Sequence, residues 1–213
     1  VFVQGCSFNC IACHNPATIS RRVHAEQVTV EDLLARIEPV APYLAGVTVS
    51  GGEATTQPLF VRDLFTAVHT GLPALTCFVD SNGHAPQRTW DLLLPGLDGA
   101  MIDLKALDPD VHRFLTGEPN DRVLDSIRYL HERERLHEVR LLIIPGRNDT
   151  PAQLAATAEW LATLDPDLRT VVIGFRRHGV RRPGRSLREA TPDDLAAAEA
   201  TLRAGGLQQV VTV

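Results

Sequence analysis

The sequence predicts an α/β domain with one parallel sheet, built as an open or partial TIM-like (β/α)6 barrel. Three observations carry this. Short apolar, β-branched runs alternate with longer amphipathic stretches along almost all of the 213 residues. Each intervening stretch is long enough for the crossover helix that parallel pairing demands. Polar and glycine residues gather at the C-terminal ends of the runs, where sites form in barrels and in doubly wound sheets alike. Periodicity alone leaves the doubly wound sheet open as the alternative.

The elements follow in order. Residues 1–5 read as a buried strand from the first residue, and because that residue is Val1 rather than Met we expect sequence upstream. Residues 29–43 read as a helix opened by Thr29, with Asp32 three positions on as in a capping box. Strand 46–50 leads to helix 58–70, with Gly71 placed to end it. Strand 76–80, helix 86–94, strand 100–104, helix 121–135 and strand 139–144 continue the alternation. Thr150-Pro151 and Thr191-Pro192 open helices 151–164 and 192–204, each setting an N-cap hydroxyl before a proline whose missing N–H costs nothing there. Gly205 follows the last helix. Residues 170–174 form the sixth strand and 209–213 a short further edge strand. With no repeat, low-complexity tract or linker, residues 1–213 read as a single domain whose one long irregular stretch is 176–188.

Composition narrows the function. The chain is 44% hydrophobic and 22% charged, as soluble globular proteins are. A net charge of −5 argues against general nucleic-acid binding, and no apolar run approaches the roughly 20 residues of a membrane span. Three of the four cysteines fall within eight residues. That is too crowded for a disulfide scaffold and suits metal ligation in a reducing cytoplasm. Cys77, in mid-strand, reads as a small buried hydrophobe. His24, His69, His84, His112, His131 and His137 read as surface or loop residues. The six arginines of 176–188 read first as a solvated loop, with a docking surface for an acidic partner as the functional alternative.

Cys6, Cys10 and Cys13 are spaced by three and then two residues. A loop of this length can wrap a cuboidal iron–sulfur cluster and ligate three irons, leaving one open to an exogenous chelating group. A zinc site would need the adjacent Cys13 and His14 as joint ligands, and a thiol redox pair would leave Cys6 unexplained. Gly51-Gly52 removes two side chains where backbone must come close to a ligand. Asp103 and Lys105, two apart on a strand, share a face.

The Cys-x3-Cys-x2-Cys spacing after an opening strand resembles the radical S-adenosylmethionine (radical SAM) superfamily. Phe2-Val3-Gln4-Gly5-Cys6, with Asn15 after His14, is similar to the later part of the glycyl-radical-enzyme activase signature. Likeness to the pyruvate formate-lyase-activating enzymes continues through Val49–Glu53, Phe60–Asp63, Thr76–Gly83, Met101–Lys105 and Val139–Gly146. The stretch Phe175–Gly179 looks closest to the YjjW-type activases. The resemblance implies a [4Fe–4S] cluster on Cys6, Cys10 and Cys13. It implies backbone contacts to the methionine group of S-adenosylmethionine at Gly51, Gly52 and Glu53, and further cofactor contacts from Asn15, Lys105 and Arg140. It places a monovalent cation near Asp80, Ser81, Asp103 and the Met101 carbonyl, and sets Arg176 where relatives stack a histidine on adenine. It departs at Ala12, where an aromatic residue is usual, and lacks the ferredoxin-like insert that many members carry after the cluster motif. It implies a glycyl radical enzyme as protein substrate and a flavodoxin- or ferredoxin-type electron donor. A radical enzyme acting on a small molecule, and a non-enzymatic iron–sulfur or zinc module, are the rival readings.

Overall fold

The β-branched runs become seven strands in the computed structural model, which describes residues 1–22 and 25–213; His24 lies outside the described residues. The strands are β1 (Phe2–Val3), β2 (Gly46–Gly51), β3 (Thr76–Ser81), β4 (Gly99–Asp103), β5 (Leu136–Ile143), β6 (Thr170–Gly174) and β7 (Val210–Thr212). They form one sheet in the order β1-β2-β3-β4-β5-β6-β7, each neighbouring pair parallel. A doubly wound sheet reverses its strand order at a switch point, and this one does not. With crossovers of constant hand, such an order puts the helices on one face and leaves the other face to line an interior, as in a barrel. The expected edge strand is present as β7.

Among the described residues, seven α-helices connect and cover the sheet: α1 (Val30–Ile37), α2 (Pro58–Gly71), α3 (Gln87–Leu93), α4 (Pro109–Thr116), α5 (Asp121–His131), α6 (Pro151–Leu164) and α7 (Pro192–Ala204). Their buried residues recur at helical spacing: Val61, Leu64, Phe65 and Val68 on α2, Val123, Ile127 and Leu130 on α5, Leu154, Ala158 and Leu161 on α6. They meet the outward strand residues Cys77, Val79, Ile102, Val139 and Leu141 in one core. Each such aliphatic or aromatic side chain contributes roughly 1.5–3 kcal/mol by leaving water. Cys77 is fully buried, as its mid-strand position implies.

Local chemistry sets the ends. Thr29–Asp32, Thr150–Gln153 and Thr191–Asp194 all close capping boxes. Helix 29–43 is shorter than expected: Pro39 and Pro42 withhold N–H donors, so α1 stops at Ile37 and Glu38–Tyr43 continue as a 3₁₀ turn. Gly71 is the last helical residue rather than the one after it, and the cap falls on Leu72. Helix α4 was not anticipated, although its punctuation is in the sequence. The Asp108 carboxylate caps the Asp110 and Val111 amides, Pro109 takes the first turn, and Gly117 ends the helix at φ 88°.

Candidate active site

Alternation along the strands separates two sets of side chains. While Val79, Ile102 and Val139 face the helices, Asp80, Asp103 and Arg140 face inward, with Asp103 in register with Arg140. They open into a cavity of about 310 Å³ at the strand C-terminal ends. Cys6, Cys10, Cys13 and Asn15 come to its wall from the loop after β1. Gly51, Gly52 and Glu53 come from β2, Asp80, Ser81 and Asn82 from β3, and Lys105 from β4. The structure therefore gathers the residues singled out in the sequence, with two exceptions. Arg176 turns its guanidinium away to donate to the Ala190 carbonyl at 2.7 Å. Met101 stands beside the cavity, its sulfur 2.7 Å from Arg140 Nη2.

The cysteine loop is held from several sides. The Gly5 and Cys6 amides donate to the Thr18 and Ile19 carbonyls at 2.8 and 3.0 Å, and those of Asn9 and Ile11 donate to Thr116 and Leu115 at the end of α4, at 2.9 and 3.0 Å. Phe8, between the first two cysteines, is 2% exposed and sits against the rings of His84 and His112. The Phe8 amide and Asn82 Nδ2 donate to Cys6 Sγ at 3.4 and 3.6 Å.

The donor set fits a thiolate-bound cluster. All three thiols are free and face one cavity. Without a metal, burial pushes Cys10 up to about 12 against the pull of Lys105, and burial also raises Cys6. A bound metal cation would make thiolates favourable there. A tetrahedral zinc would draw sulfurs to about 3.8 Å of one another, given Zn–S bonds of about 2.3 Å. Among the described residues, the one group of three such donors lying within 4.8 Å of one another is His69, Cys77 and Asp98, at the opposite strand ends. His69 Nε2 there donates to the Gly96 carbonyl and Asp98 accepts the Cys77 amide, which is structural bonding.

Gly51 and Gly52 serve a purpose the sequence did not disclose. A Cβ on Gly51, at φ +121°, would lie 2.3 Å from the Val3 nitrogen; one on Gly52 would lie 2.4 Å from the Gly5 carbonyl oxygen and 2.5 Å from that of Thr18. The missing side chains let β2 close onto β1 and the cysteine loop. The Glu53 carboxylate accepts the Thr55 and Asn82 amides at 2.9 and 2.7 Å and the Ser81 hydroxyl at 2.7 Å. It knits the ends of β2 and β3 together, and burial raises its pKa against those bonds.

Charge across the cavity is balanced in pairs. Lys105 Nζ bonds Asp103 at 2.7 Å, and Arg140 Nη1 bonds Asp80 at 3.1 Å. Burial raises the Asp80 pKa, neighbouring Asp103 adds to it, and Arg140 opposes it. For Lys105, burial works to lower the pKa, but Asp103 and Cys10 outweigh it and the net direction is upward. Arg140 is oriented by Glu138, whose other oxygen takes Arg169.

Asn82 and Asn148 were not singled out. Asn82 bridges Ser7 and Cys6; Asn148 donates to the Lys105 and Leu142 carbonyls and accepts the Ile144 amide, bracing the ends of β4 and β5. The stretch Asp80-Ser81-Asn82-Gly83 offered a signal for the first. Nothing local marks the second.

Among the described residues, no helix is long and apolar enough to cross a membrane. The sequence pattern described as the radical SAM superfamily matches residues 1–161. The pyruvate formate-lyase-activating enzyme of Staphylococcus aureus (strain USA300) is 33% identical over 192 residues, which cover 85% of this chain and 76% of that protein. A domain of the pyruvate-formate lyase-activating enzyme from Bacteroides vulgatus superposes with a TM-score of 0.66 at 22% identity, over 79% of this chain and 99% of that one. SuiB of Streptococcus suis bound to S-adenosylmethionine gives a TM-score of 0.74 at 14% identity, over 99% of this chain and 48% of that one. At these identities the two solved structures speak for the fold alone. The chain belongs to the radical SAM superfamily and, within it, to the family of the pyruvate formate-lyase-activating enzymes.

Proposed function

We propose that this radical SAM enzyme is an activase that forms a glycyl radical on a partner enzyme. One observation carries the reading: three free cysteines of a single loop share a cavity wall with Lys105, Arg140 and the double-glycine turn. Cys6, Cys10 and Cys13 would hold three irons of a [4Fe–4S] cluster, leaving the fourth for S-adenosylmethionine. When bound, the cluster and S-adenosylmethionine supply the electron transfer and the 5′-deoxyadenosyl radical that removes a hydrogen atom.

The chain's own residues bind, orient and exclude water. Lys105 and Arg140 present fixed positive charge to an amino-acid carboxylate, while the Gly51-Gly52 peptides and Asn15 face the same space. Ala12, Leu115, Leu142, Ile144 and Ile173 make an apolar wall suited to a flat base, in place of an aromatic residue before Cys13. Such a wall also keeps water from a radical. The monovalent cation near Asp80, Ser81, Asp103 and Met101 belongs to the same reading. Once Lys105 or Arg140 turns to a ligand carboxylate, Asp80 and Asp103 face each other with less compensation and favour a cation. Arg176, bound to the Ala190 carbonyl, does not line the cavity in this arrangement.

The relative's name supports a glycyl radical enzyme as protein substrate, with a flavodoxin- or ferredoxin-type electron donor. The four free cysteines fit a reducing cytoplasm, and the continuous sheet supports residues 1–213 as one domain. Anaerobic reconstitution tests the whole. We expect about four irons per chain, reductant-dependent release of 5′-deoxyadenosine, and a glycyl radical signal by electron paramagnetic resonance on a candidate partner. One zinc per chain, or no cleavage, rejects the enzyme reading. Cleavage coupled to consumption of a small molecule, with no glycyl radical, turns it to the small-molecule rival.

A further inference from the structure

The arginine-rich stretch 176–188 is a strap as well as a solvated loop. Val180, Gly184 and Leu187 are buried and pack with Ile11 and Ala12 of the cysteine loop. The approach is backbone to backbone: a Cβ on Gly184 would lie 2.3 Å from the Ile11 carbonyl oxygen, and one on Gly179 would lie 2.7 Å from that of His14. His14 Nε2 donates back to the Arg176 carbonyl at 2.7 Å.

Arg181 completes this contact. Its Nη2 donates to the Asn9 carbonyl and, at 3.0 Å, to the Cys10 carbonyl. Its Nε is buried and has no hydrogen-bond partner. Among the described residues, no carboxylate pairs with it within 4.0 Å. A cation partly stripped of water and given no counter-charge is costly. Its side-chain hydrogen bonds all go to the cysteine loop. Covalent geometry keeps Cys10 Sγ within about 5 Å of its own carbonyl oxygen, which puts the Arg181 guanidinium within about 8 Å of a ligand sulfur.

We infer that Arg181 is a positioning residue of the iron–sulfur centre: its fork fixes the Asn9 and Cys10 backbone, and its charge raises the reduction potential of a cluster held on Cys6, Cys10 and Cys13. The inference rests on the cluster reading above. A cluster that gains an electron gains negative charge, and a nearby fixed cation favours that form. At an effective dielectric of about 20, a unit charge about 12 Å away is worth a factor of about ten, or about 59 mV for one electron.

The test compares R181Q and R181K with the wild-type holoenzyme by redox titration followed by electron paramagnetic resonance. R181Q, with iron content retained, should titrate about tenfold harder to reduce. It should cleave S-adenosylmethionine more slowly with a weak reductant and recover with a strong one. R181K, which keeps the charge, should titrate near the wild type. Equal midpoints for R181Q and the wild type overturn the inference. So does loss of the cluster from both variants, because the retained charge then counts for nothing. A wild-type protein that takes up no four-iron cluster defeats the functional reading instead, before Arg181 enters.

Discussion

His112 should make the protein acid-sensitive in a defined window. Its ring is buried at 0% exposure on α4, edge-on to Phe8 at 5.5 Å, and neither nitrogen makes a well-formed hydrogen bond. Burial lowers its pKa from 6.5 to about 4; the Ala106 peptide lies close enough to oppose the change, and the Lys105 charge adds to it. The unfolded chain therefore binds this proton more tightly than the folded one. Stability from this group is complete above pH 6.5 and is lost as the pH falls towards 4. At 1.36 kcal/mol per pH unit, the span from 6.5 to about 4 amounts to about 3 kcal/mol in full, and about 2 kcal/mol is gone by pH 5. H112F removes both nitrogens and puts a larger, apolar aromatic ring in their place. Urea unfolding of the wild type and H112F at pH 7 and pH 5 isolates the effect, since carboxylate titration is common to both. We expect the larger ring to cost about 1–3 kcal/mol at pH 7 and the variant to lose about 2 kcal/mol less than the wild type on going to pH 5. An equal drop in both would refute the account of a neutral, unpartnered ring.

Exchange of Cys6, Cys10 or Cys13 singly for serine should bring iron after reconstitution from about four per chain to near zero, and 5′-deoxyadenosine formation to background. Iron analysis and chromatography check both. G52A forces a methyl group to within 2.4 Å of the Gly5 carbonyl oxygen and 2.5 Å of that of Thr18; two backbones must part, at a cost of about 1–3 kcal/mol readable by urea unfolding. E138Q leaves Arg140 and Arg169 without their shared carboxylate. It should cost about 1–3 kcal/mol and weaken S-adenosylmethionine binding by roughly tenfold, whereas R169Q should leave binding near the wild type; calorimetry on the reconstituted proteins decides.

Much of the architecture was legible because its signals are local. The capping box anticipated at Thr29 is closed, and the N-caps anticipated at Thr150 and Thr191 are present and complete boxes with Gln153 and Asp194. The cavity was legible because inward residues of parallel strands share one end, so Asp80, Asp103, Lys105 and Arg140 had to meet. What stayed hidden depends on distant partners. The strap on the cysteine loop is visible only when Gly184 is seen against Ile11, and the two-glycine turn also answers to close approaches by Val3, Gly5 and Thr18 that lie far away in sequence. Arg176, aligned by likeness with an adenine-stacking position, instead donates to the Ala190 carbonyl, a partner distant in sequence. Helix α4 carries its signal in its punctuation, with Asp108-Pro109 at its start and Gly117 at its end, rather than in a long apolar stripe.

Because α4, the 3₁₀ turn at Pro16–Thr18 and the strap each bond the cysteine segment independently, the polypeptide itself contributes to holding its path. Small zinc-stabilised domains collapse when stripped of their ion; here chelation should leave circular dichroism unaltered and the vessel ready for refilling. Exposure to air would then damage the inorganic contents more readily than the polypeptide that carries them.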